Sequence, residues 1–135
     1  MFVMDRYLLF LGYRVNNKPK YTLFNNTKYA WEGLLHAIKH ETSFKIELLS
    51  ATLFFPIIYF LEFELIYKLV LIVTFVMILI VELLNSSIEN VVDLVTKEIH
   101  PLAKSAKDIG ATAVLFTVLL HILCWVVILL DFFKN

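Results

Sequence analysis

Three stretches of the chain are apolar for long enough to cross a bilayer, and charged residues mark where each begins and ends. A spanning helix needs about 20 predominantly apolar residues. Phe44 to Leu61 supplies the first, FKIELLSATLFFPIIYFL, provided that Lys45 and Glu47 sit at the interface. Pro56 within it lacks a backbone donor and favours a kink. Glu62 and Glu64 then mark a short polar turn. The second stretch, about 65–84, is LIYKLVLIVTFVMILIVELL, with Lys68 able to snorkel from its end. The third, about 109–130, is IGATAVLFTVLLHILCWVVILL, closed by Asp131 and Lys134.

Upstream, from Thr22 to His40, the pattern changes. Leu23, Tyr29, Ala30, Leu34, Ala37 and Ile38 recur at mostly helical spacing, with Lys28, Glu32, His36 and Lys39 elsewhere around the wheel. That spacing predicts an amphipathic helix lying on the membrane surface, its Tyr29 and Trp31 rings in the headgroup zone. A plain soluble amphipathic helix would carry the same pattern. Residues 1–20 contain only a short apolar stretch, Tyr7 to Tyr13, too short to span and without a signal-peptide pattern. The expected organisation is all-α and integral to the membrane: an extension at 1–20, then one domain at 21–135 with a surface helix and three transmembrane helices.

Composition sharpens this picture. Of 135 residues, 60% are hydrophobic and the mean hydropathy is +0.79, whereas soluble domains sit nearer about 45 to 50% apolar. Three Gly and three Pro argue against turn-rich β architecture and flexible linkers. The formal net charge is zero, which gives no reason to expect a nucleic-acid partner. A single cysteine, Cys124, excludes an internal disulfide and any cysteine-based metal site. Basic residues cluster before the first span (Lys18, Lys20, Lys28, Lys39, Lys45) and between the second and third (Lys97, Lys104, Lys107). The positive-inside rule then places the N-terminus and the 85–108 segment in the cytoplasm and the C-terminus outside.

Ionisable residues at the edge of a span are costly unless paired or used. If the second helix continues past the membrane, Glu82, Asn85, Ser86, Glu89 and Asp93 share one polar face amid apolar neighbours. Such a stripe suits Mg²⁺, which takes oxygen ligands, commonly one or two carboxylates plus phosphate oxygens. Glu82 and Glu89 are about 10 Å apart along the axis, too far to share one ion comfortably. Their roles divide: proton transfer for the deeper Glu82, metal binding for Glu89. Glu41, beside His40, is a second candidate ligand. The same stripe would also serve as a polar seam between packed helices, in a non-catalytic assembly or an ion-conducting subunit. The loop Lys97–Asp108, KEIHPLAKSAKD, suits a polyphosphate or simple anchoring. No Walker A or kinase glycine loop is present. His121, midway along the third span, reads as an interhelical hydrogen-bond partner.

The run VELLNSSIENVVD, Val81 to Asp93, followed by AKSAKDIGATAV, Ala103 to Val114, resembles the signature of the prokaryotic diacylglycerol kinase family. YAWEGL, Tyr29 to Leu34, and HETSFKIE, His40 to Glu47, fall in that family's order and spacing. The resemblance covers about Thr22 to the C-terminus. It implies a homotrimer with active sites shared between subunits at the cytoplasmic face of the bacterial inner membrane. It also implies transfer of the γ-phosphate of MgATP to diacylglycerol, giving phosphatidic acid. By position, Glu82 resembles the general base, and Glu41 and Glu89 the residues holding Mg²⁺ on ATP. Asn85 and Asp93 support the site. Tyr29, Glu98, His100, Lys107 and Asp108 resemble nucleotide-binding positions, and Trp31, Phe44, Glu47 and Trp125 fall where lipid and subunit contacts are shaped. Ala111 stands where well-known members have serine, and Ile46 where they have glutamine. HPLAK, His100 to Lys104, is more similar to the undecaprenol kinase branch of the family.

Overall fold

The computed structural model describes residues 22–134, so the extension expected at 1–20 lies outside the described residues. The chain divides after Gly33 into two units, and residues 22–33 are described apart from residues 34–134. The described residues form four helices and no strand: α1 (Leu23–His40), α2 (Thr42–Phe60), α3 (Leu65–Val95) and α4 (Pro101–Phe132). Helices α2, α3 and α4 are each long and apolar enough to cross a membrane.

Local chemistry explains where the helices start and stop. The Thr22 hydroxyl accepts from the Asn25 N–H at 3.2 Å, satisfying one of the orphan donors of α1. Pro56 lies inside α2, and the helix runs through it to Phe60. Lys68 donates from Nζ to the Tyr59 carbonyl at 2.9 Å, so the expected snorkelling amine caps the end of the preceding helix. The segment expected as a loop over Lys97–Asp108 is helical from Pro101 onward. Proline is preorganised for the first helical position, and His100 Nδ1 accepts from the Leu102 N–H at 3.2 Å as the cap. Helix α4 therefore begins eight residues before the apolar stretch, carrying Lys104, Lys107 and Asp108 on its first turns.

Helix α3 is the centre of the second unit, packing against both α4 and α2. Ile58, Phe63, Leu71 and Ile128 form a buried cluster where α2 ends, α3 begins and α4 ends, with Cys124 and Trp125 packed against it. Further along, Thr74 and His121 are buried between α3 and α4. His121 Nδ1 lies 2.7 Å from Thr74 Oγ1, and Trp125 Nε1 donates to His121 Nε2 at 3.0 Å. The interhelical role expected of His121 is what the structure shows. Large apolar side chains such as Leu49, Leu53, Ile66, Phe116 and Leu123 point outward. That surface is a severe liability in water and a matched one in lipid.

Candidate active site

At the other end of the bundle, the start of α2, the last turns of α3 and the first turns of α4 bring polar groups together. Helix α3 continues without a break to Val95, so the expected polar stripe exists on one rod. Glu82, Asn85 and Ser86 are buried, Glu89 is half-buried and Asp93 is exposed. Glu82 is only 5% exposed, which makes it the most enclosed acidic group described. The Ser43 side chain hydrogen-bonds its carboxyl, and Glu89 and Glu41 are close enough to act on it electrostatically. Glu47 likewise feels the charge of Glu82. The site therefore concentrates four acidic side chains from α3 and from the start of α2.

Two amides organise these carboxylates. Asn85 Nδ2 donates to Glu89 Oε1 at 3.1 Å, one turn along α3. Asn90 Nδ2 donates to Glu41 Oε1 at 3.1 Å across the helices, and to the Ser86 carbonyl at 2.9 Å. Two buried oxygens, Asn85 Oδ1 and Glu47 Oε2, have no hydrogen-bond partner among the described residues.

Asn85 Oδ1 rests against Gly110, where an added Cβ would collide with it. Gly110 is thus a packing requirement of the site that sequence reasoning passed over in favour of its neighbour Ala111, which is exposed. A lone glycine in an apolar helical run was the available signal. Asn90 and Ser43 were also missed. Asn90 sits about 80° round the helix from Glu82, beyond the stripe that the helical wheel picked out.

A cavity of about 270 Å³ adjoins the stripe, lined by Asp93, Thr96, Glu98, His100, Lys104 and Lys107, among others. Lys107 Nζ donates to Asp93 Oδ1 at 2.6 Å, tying the start of α4 to the end of α3. Lys104 pairs with Asp108 one turn along α4. The structure thus gathers Glu98, His100, Lys107 and Asp93 around one hollow, with Asp108 held by a residue of its lining. Trp125 is placed elsewhere, packed with Phe54, Phe63 and His121. Phe44 is buried near the start of α2. In the first unit, Tyr29 and Trp31 are exposed on α1.

Carboxylate oxygens are the donors that hard divalent cations take. Among the described residues no three His, Cys, Asp or Glu side chains converge to hold an ion. An all-protein cage is therefore not built, whereas Glu41 and Glu89, each with one oxygen held by an amide, suit an ion whose remaining ligands are phosphate and water oxygens.

A family profile described as Prokaryotic diacylglycerol kinase matches residues 28–129. The chain belongs to the prokaryotic diacylglycerol kinase family. A Diacylglycerol kinase of Escherichia coli (strain K12) is 34% identical over 119 residues, covering 87% of this chain and 98% of the relative. One from Haemophilus influenzae is 36% identical over 103 residues, covering 76% of this chain and 87% of its own. Another from Pseudomonas aeruginosa is 36% identical over 108 residues, covering 80% and 88%. With three helices fit to span, this member of the diacylglycerol kinase family is a multi-pass bacterial membrane protein. The undecaprenol kinase branch suggested by His100–Lys104 is not favoured by these relatives.

Proposed function

We propose that this protein transfers the γ-phosphate of MgATP to the hydroxyl of diacylglycerol, yielding phosphatidic acid and ADP. The observation that carries this reading is the enclosure of Glu82 at the polar end of a spanning helix, within the family-matched segment, beside Glu41 and Glu89. Glu82 takes the proton of the lipid hydroxyl as its oxygen bonds the γ-phosphorus and the bond to ADP breaks. Glu41 and Glu89 would hold magnesium on the nucleotide, and the ion would supply neutralisation of phosphate charge. Asn85 orients Glu89, and the hollow lined by Glu98, His100 and Lys107 receives the nucleotide, with Asp108 as a further contact. Asp93 supports the site by fixing Lys107. Trp31, Phe44, Glu47, Ala111 and Trp125 serve lipid or subunit contacts.

The domain at 21–135 acts as a homotrimer in the cytoplasmic membrane, with α1 on the inner surface and the polar ends of α2, α3 and α4 facing the cytoplasm. The lysines flanking that end support this orientation. Diacylglycerol arrives laterally and ATP from water, which accounts for a polar stripe stationed at the membrane edge. The test uses purified full-length protein in mixed micelles with labelled ATP and either diacylglycerol or undecaprenol. Magnesium-dependent label in phosphatidic acid is expected. Label confined to undecaprenyl phosphate would overturn the lipid assignment, and no labelled lipid at all would overturn the kinase reading.

A further inference from the structure

We infer that Asn90 is a positioning residue for the nucleotide-bound cation, because it holds the Glu41 carboxylate in the orientation that presents its other oxygen to the ion. This rests on the reading of Glu41 as a magnesium ligand. The geometry fixes the amide. Its Nδ2 donates to the Ser86 carbonyl at 2.9 Å and to Glu41 Oε1 at 3.1 Å. An ionised carboxylate and a backbone carbonyl both only accept, so only the NH₂ face can serve both, and the assignment of nitrogen and oxygen is settled by chemistry. The bond to Ser86 clamps the side chain to its own helix one turn back, which aims the second N–H across to α2.

Glu41 is placed to receive it. It is the N-cap residue of α2 with extended backbone, yet its side chain makes no capping bond. Caps ordinarily spend the side-chain oxygen on the first turn of their own helix. Here the carboxylate turns to α3 instead. Asn85 does the same for Glu89, donating to one oxygen of that carboxylate. The two proposed ligands thus share a design in which an amide on α3 occupies one oxygen of each carboxylate, so that the other would serve the ion. Partners of this kind set the orientation and basicity of metal ligands, and losing one typically costs about 10- to 100-fold in affinity.

Asn90 is exposed, so its truncation opens no cavity, and a role confined to clipping the helices predicts a different outcome from a role in cation binding. The experiment titrates Mn²⁺ by electron paramagnetic resonance onto the full-length protein in detergent with a non-hydrolysable ATP analogue. It compares the parent, Asn90→Ala, Glu41→Gln and the double variant, with thermal melting recorded for each. Asn90→Ala is expected to weaken Mn²⁺ binding about tenfold at an unchanged melting temperature, and to add nothing in the Glu41→Gln background. Parental Mn²⁺ affinity in Asn90→Ala, with affinity lost in Glu41→Gln, overturns the inference and leaves the metal reading standing. Unchanged affinity in Glu41→Gln overturns both. Additive losses in the double variant show that Asn90 does not act through Glu41.

Discussion

Two polar clusters interrupt the apolar bundle, and they are built on opposite terms. Around His121 every ring nitrogen has a partner: Trp125 donates to Nε2 and Thr74 lies at Nδ1. The Thr74 hydroxyl is itself directed to the Val70 and Leu71 carbonyls. Because the Thr74 proton goes to the backbone and Nε2 accepts from Trp125, a neutral His121 carries its proton on Nδ1. Phe54 and Phe75 close over the ring. Around Glu82 the opposite holds, with Glu89, Glu41 and Glu47 within electrostatic reach of its carboxyl and two buried oxygens unpartnered among the described residues. A closed network locks helices against one another, whereas an incomplete one keeps groups available to a substrate that completes it.

The contrast sets the sizes of the expected effects. Glu82→Gln keeps the volume and the Ser43 contact but removes the base, so turnover should fall by about 10²- to 10⁴-fold with helicity and gel-filtration profile retained. Near-parental turnover in a folded Glu82→Gln protein would sink the assignment of the base. Gly110→Ala drives a methyl group into Asn85 Oδ1. It should cost about 1–3 kcal/mol of stability and also reduce turnover, because Asn85 carries Glu89. A variant with parental melting and turnover would show that Asn85 can shift without consequence. His121→Leu should do the reverse, lowering stability by about 0.6–2 kcal/mol while leaving turnover per folded molecule unchanged. Lost turnover at unchanged melting would place His121 in the chemistry and erase the distinction between the clusters.

What was legible in the sequence follows from what a one-dimensional pattern can encode. Hydropathy gives the three spans, and the 100° step per residue places Glu82, Asn85, Ser86, Glu89 and Asp93 on one face, because both depend only on local order. The early start of α4 escaped hydropathy because Lys104, Lys107 and Asp108 dilute its first turns. His100 and Pro101 carried that boundary as a capping signal instead. Asn90 was invisible for a different reason, and Gly110 showed only as a lone glycine in an apolar run. Their importance lies in what approaches from another helix, Asn85 in one case and Glu41 in the other, and no periodicity within a single helix reports that.

Helix α3 is one uninterrupted rod of 31 residues, about 46 Å long, against a hydrocarbon layer of about 30 Å. It therefore behaves as a depth gauge, with His121's partner Thr74 submerged and Glu82 and Asp93 about 16 Å apart on the same scale. Acyl-chain length becomes a physical dial on this protein: a thicker bilayer draws the waterline toward Asp93, and a thinner one uncovers Glu82.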